Sequence, residues 1–138
     1  MKTVNKKGFT LIEVVLVLAI GGLIFLLAFL AFQQVQRNRR DTQRRSDAGR
    51  MAALFNDLKA DAGGNTAPTH DDWRDAILAA PNMTPPDASA YTFAAADTDY
   101  ASAQPSTLGS NAVRLVNASN DYSVCVGLEG GVVCRDVE

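Results

Sequence analysis

The stretch "KKGFTLIEVV", residues 6–15, decides how this chain is read. Two lysines and a glycine stand directly before a long apolar run, and one carboxylate, Glu13, lies five residues past the glycine. Glu13 is the only charge from Phe9 to Phe32, and 14–32 is a run of 19 uncharged residues. At about 1.5 Å rise per residue, a helix of that length matches the hydrocarbon thickness of a bilayer. An ionised carboxylate is costly inside hydrocarbon, so Glu13 needs either water at the interface or a partner.

A cleaved secretory signal fits the basic start but not the segment after it. The apolar run is too long, and it ends in "AFLAFQQVQ" (28–36) without a small-residue cleavage site before a polar start. The expectation is a segment retained in the product. A plain signal anchor accounts for the length and leaves Glu13 as a carboxylate snorkelling to water.

Composition sets further bounds. The 138 residues allow one modest domain plus an appendage, and the net charge of −2 hides a sorted distribution. Lys2, Lys6 and Lys7 precede the apolar run. Residues 36–50 hold Arg37, Arg39, Arg40, Arg44, Arg45 and Arg50 against Asp41 and Asp47, and the chain beyond is strongly acidic. A basic neck thus joins an acidic head to a membrane segment, which bears on partners more than on fold.

"KKGFTLIE" resembles the processing site of type IV pilins and the related pseudopilins: a short basic leader ending in Gly8, then Phe9, Thr10, and Glu13 within an apolar stretch. The resemblance is specific over residues 6–32 and architectural beyond them. It implies that a membrane-embedded prepilin peptidase cuts after Gly8 and N-methylates Phe9. It also implies an α+β pilin fold, a long N-terminal helix packed on a small antiparallel sheet, and assembly into a helical filament. The new α-amine at Phe9 then gives Glu13 a partner, either in a neighbouring subunit or in its own chain, since positions four apart share a helix face. Such a pair would set the register of each incoming subunit. Many pilins carry a proline where this chain has Leu30, and no proline precedes Pro68. Gly21 and Gly22 are the candidates for loosening the helix instead.

The expected organisation is a leader over 1–8, a membrane or filament-core half-helix over 9–32, an amphipathic half over 33–62 and a head over 63–138. One helix from Phe9 to about Ala62 would form a rod of about 80 Å. Within it Met51, Leu54, Phe55 and Leu58 follow the i, i+3, i+4, i+7 rule of a core-facing stripe, and Gly63-Gly64 ends it. In the head, residues 63–90 read as loops around a short helix. Thr69 can cap that helix with Asp72 three residues on, Trp73 and Ile77 share a face, and Pro81 closes it. Residues 91–138 read as antiparallel strands at 91–95, 112–118, 122–128 and 131–137. A two-residue turn at Glu129-Gly130 would set Cys125 opposite Cys134 at a close, non-hydrogen-bonded pair, a position that suits a disulfide.

The arginine block admits three readings: a solvated face, inter-subunit pairing of Arg37, Arg39, Arg40, Arg44 and Arg45 with acidic heads, or DNA binding. The last is disfavoured because no aromatics are interleaved and the head is acidic. His70, Asp71 and Asp72 read as a helix start rather than a metal site. Asp97 and Asp99 read as loop residues, with calcium a minor alternative, and "NAS" at 117–119 fits an N-glycosylation acceptor. No catalytic constellation and no cofactor motif is found, so the chain reads as a structural subunit and not an enzyme. Its expected partners are further copies of itself, minor pilins, the prepilin peptidase and the assembly machinery. It would cross the cytoplasmic membrane once, N-terminus inside, before reaching a surface pilus. A type II secretion pseudopilin and a monomeric anchored binding module are the alternatives.

Overall fold

A computed structural model describes residues 8–64, 66–93 and 100–137. The elements are α1 (Leu11–Asp61), α2 (His70–Ala79), β1 (Val113–Ala118), β2 (Asp121–Leu128) and β3 (Gly131–Val137). The strands form one antiparallel sheet in the order β1-β2-β3. These are the elements that the resemblance implied: a long N-terminal helix and a small antiparallel sheet. The chain divides into two compact units between Gln36 and Arg37.

In the first unit every residue from Leu11 to Gln36 is exposed. In the second, α1 buries Ala48, Met51, Ala52 and Phe55 in the core, with Leu54 and Leu58 packed at its edge. The helix ends where two glycines supply left-handed backbone, Gly63 at φ 84° and Gly64 at φ 79°. The amide of Gly64 donates to the Lys59 carbonyl at 2.8 Å and that of Gly63 to Ala60 at 3.0 Å, the paired bonds of a Schellman stop. α2 starts on the expected capping box. The Asp72 amide donates to Thr69 Oγ1 at 3.2 Å, and the Thr69 amide returns a bond to Asp72 Oδ2 at 3.3 Å. Trp73 and Ile77 enter the core, and the Trp73 indole donates to the Met51 carbonyl at 2.9 Å.

Alternation sorts the strands: Val113, Leu115, Val124, Val126, Leu128 and Val133 face the helices. β2 is buried on both faces from Ser123 to Leu128. The loop before β1 crosses its outer face so closely that a Cβ on Gly127 would overlap the carbonyl oxygen of Gly109. The 112–118, 122–128 and 131–137 expectations match the observed strands to within a residue. The 91–95 strand does not extend through its described part. Thr92 makes one isolated bridge to Ala112, and a parallel one, while 94–99 lie outside the described residues. Its neighbour Tyr91 is held instead by its side chain, whose hydroxyl donates to Asp47 Oδ2 at 2.8 Å.

Candidate functional site

Three regions carry chemistry. The first is the start of α1. Phe9 is 90% exposed, and Thr10 is the residue before the first helical position. Its amide and its hydroxyl each donate to Glu13 Oε2 at 2.8 Å, while the Glu13 amide lies 3.4 Å from Thr10 Oγ1. Thr10-x-x-Glu13 is therefore a capping box. The signal for it, "TLIE", stands in the sequence, but the expectation drawn from the processing-site resemblance gave Glu13 an amine partner and overlooked the cap. Glu13 also lies beside Phe9 and Val17 on one side of the helix, at four-residue spacing. The apolar residues beyond find no cover: Leu16, Leu23, Phe25, Leu27 and Phe29 are all more than half exposed. Gly21 and Gly22 lie within α1, and a Cβ at either would meet nothing.

The second region is the arginine block, which the structure splits. Arg44 is 2% exposed; its Nε donates to Asn111 Oδ1 at 2.8 Å and its Nη1 to Asp41 Oδ1 at 3.0 Å. Nη1 also lies 3.5 Å from Glu129 Oε1. Arg40 Nε lies 2.6 Å from the same oxygen and Arg37 Nε 3.8 Å from Oε2. The Glu129 amide donates to Asp41 Oδ1 at 3.0 Å. So the β2–β3 turn is clamped to α1 by Glu129 among three arginines. Arg44 is turned inward: its Nε and Nη1 are taken by Asn111, Asp41 and Glu129 of its own chain, and so buried a guanidinium presents little surface to another subunit. Arg39 and Arg45 are exposed, and no described residue pairs with them. Asn111 extends the network, donating through Nδ2 to Asp87 Oδ2 at 2.7 Å and to Ser89 Oγ at 3.1 Å. The Ser89 hydroxyl, then Asn111, holds the Asp87 carboxyl below its usual range. Sequence reasoning missed Asp41, Asp87, Asn111 and Glu129. Only the left-handed backbone at Asn111, φ 65°, is a signal asparagine advertises, and it is a weak one.

The third region is the hairpin. Cys125 pairs with Cys134 in the sheet and the two form a disulfide, Cα atoms 4.0 Å apart. His70 is buried, edge-on to Tyr100 at 5.5 Å. No group of three metal-binding side chains occurs among the described residues; Asp97 and Asp99 lie outside them. Asn117 of the "NAS" triplet accepts the Asn120 amide at 3.0 Å within the β1–β2 turn.

Residues 4–29 match the family model described as the prokaryotic N-terminal methylation motif. No curated protein and no solved structure matches the chain. That motif is the signature of type IV pilins and pseudopilins, structural subunits that prepilin peptidase processes and that assemble into filaments. The match covers the Gly8–Glu13 region and most of the apolar segment, so the signature and the uncovered helix fall on the same residues. The long helix is apolar enough, over an 18-residue window, to cross a membrane. Motif and helix together fit a membrane-anchored subunit of the pilin or pseudopilin type.

Proposed function

We propose that this chain is a subunit of a type IV pilus, cut after Gly8, methylated at Phe9 and polymerised into a surface filament for adhesion, motility or DNA uptake. The observation that carries the reading is the wholly exposed apolar half of α1, on which the methylation motif falls. Apolar surface on that scale demands a cover. It has two homes, the bilayer before assembly and a bundle of neighbouring helices after. Residues 1–8 form the leader, 9–32 span the cytoplasmic membrane with the N-terminus inside, and 33–138 lie beyond it.

Glu13 sets the register. In the uncut chain its carboxylate is held by Thr10, so it enters the membrane with hydrogen-bond partners of its own. Cleavage creates a cationic amine at Phe9, one residue before that cap. The amine of a neighbour then competes for a carboxylate that still has one oxygen, Oε1, without a described partner. Gly21 and Gly22 are where the helix yields if packing demands it.

The test is intact mass and N-terminal sequencing of the mature chain, with a Glu13→Ala strain alongside. A chain starting at methylated Phe9, in sheared filaments that vanish in the mutant, is the expected result. Filaments that stay in the periplasm and depend on a secretion system would make this a pseudopilin. A chain retaining Met1–Gly8, unaffected by the mutation, would leave an anchored binding module.

A further inference from the structure

From Arg37 to Asp61, α1 buries one side and leaves the other uncovered. Arg44, Asp47, Ala48, Met51, Ala52 and Phe55 are buried. At about 100° per residue, Thr42, Ser46, Gly49, Ala53 and Asn56 fall on the opposite side, and all are exposed. Charges border this face in a fixed order. Arg39 and Arg45 stand at its N-terminal end, Asp57 and Asp61 at its C-terminal end. All four are exposed, and no described residue pairs with any of them. The other arginines of the block are occupied: Arg37, Arg40 and Arg44 at Glu129, and Arg50 at Asp47 and the Asn82 carbonyl. Lys59 lies between the two aspartates in sequence but is half-buried, on the core side of the helix.

We propose that this face docks on a second copy of the chain, parallel to it and displaced along the helix axis by about 25 Å, with Arg39 of one copy beside Asp57 of the next. The proposal rests on the filament-subunit reading of the chain. Arg39 and Asp57 are 18 residues apart, about five turns, which puts them on the same side of the helix and about 27 Å apart along it. Arg45 and Asp61 are about 24 Å apart along the axis but about 160° apart around it, at opposite edges of the face. The stagger is set by Arg39 and Asp57, and it brings Arg45 of one copy level with Asp61 of the next. Copies anchored in the same membrane through residues 9–32 are parallel, so a helix with cations at one end and anions at the other complements itself only when staggered. On the strip of Thr42, Ser46, Gly49, Ala53 and Asn56 no side chain is larger than asparagine, and Arg50 at its edge is drawn back to Asp47 and the Asn82 carbonyl, so a second helix can approach along that strip. The same polarity disfavours an anionic lipid surface, which would attract the arginines and repel Asp57 and Asp61.

The test uses sheared filaments from cells expressing the full chain. Arg39→Asp and Asp57→Arg should each lower filament yield by on the order of tenfold, since every subunit repeats the like-charge contact, and the double swap should restore it. A chain carrying Arg39→Cys and Asp57→Cys should give a ladder of multimers with a short bismaleimide. Wild-type filaments with no ladder and no rescue would overturn the docking while leaving the subunit reading intact. If instead Arg39→Asp alone weakened retention on anionic vesicles and the swap did not rescue it, a lipid contact would replace the proposal. Wild-type cells without filaments would sink both.

Discussion

At Arg44 a residue from the most polar stretch of the chain is as buried as the core. Its guanidinium is tolerated there because Asn111, Asp41 and Glu129 all meet it. Truncation to alanine leaves Asn111 Oδ1 without its donor and opens a cavity, so Arg44→Ala should destabilise the head by about 3 kcal/mol. Urea unfolding of the detergent-solubilised chain reads this, with Arg45→Ala, exposed and without a partner among the described residues, as the near-neutral control. Asp87, at the far end of the network, adds a pH dependence. Its folded-state acidity is strengthened by Ser89 and Asn111, so its contribution is present above the ordinary aspartate value of about 4 and is lost as pH falls below it. The melting temperature should drop between pH 6 and pH 3, and Asp87→Asn should flatten part of that drop. An unchanged profile in the variant would place the acid sensitivity elsewhere. At Gly127 the constraint is steric. Gly127→Ala must push back the Gly109 backbone, which has no flexible end to give, and should cost about 2 kcal/mol by the same unfolding measurement.

The β2–β3 hairpin couples these residues. Its turn carries Glu129 into the arginines, and its register decides whether Glu129 arrives there, because a one-residue slip turns every side chain to the other face. The Cys125–Cys134 bridge holds that register three residues from the turn on one strand and three on the other. Since the turn already brings the strands together, the bridge closes little new loop. Its removal in a Cys125→Ala, Cys134→Ala chain should cost about 1–2 kcal/mol, below the full loop-entropy value. The pairing of the cysteines was legible in the sequence because turn length and period-two alternation fix it locally. The strands, the Thr69 cap and the Gly63-Gly64 stop were legible for the same reason: each signal and its partner lie within a few residues. The clamp on Glu129 was not. Arg40 and Glu129 are 89 positions apart, and nothing local distinguishes an arginine that will meet the turn from Arg39 beside it. Residue 91 shows the opposite failure. "YTF" has strand composition, but Tyr91 is held by its side chain on Asp47, and propensity cannot see that competition.

Across the whole molecule, the two halves of the sequence solve different problems. Residues 37–138 contain a buried core and an ionic network of their own, so their stability is largely their own. The apolar segment before them satisfies its backbone as a helix and nothing else. Its side chains wait for lipid or for other helices, and under the proposed function assembly, not folding, is the step that Glu13 controls. The distinction is testable with one substitution read two ways. Glu13→Ala should leave the head's unfolding transition unchanged, because the carboxylate's described hydrogen bonds are to Thr10, and should abolish filaments in cells. Glu13→Gln separates the two roles of the side chain. It keeps an oxygen that can accept from the Thr10 amide and so preserves the cap, but it removes the charge a neighbouring amine would seek. If Glu13→Gln assembles as wild type, capping alone is what the position supplies, and the register role fails. If it assembles no better than Glu13→Ala while both are inserted in the membrane and cut after Gly8, the charge is what recruits the next subunit.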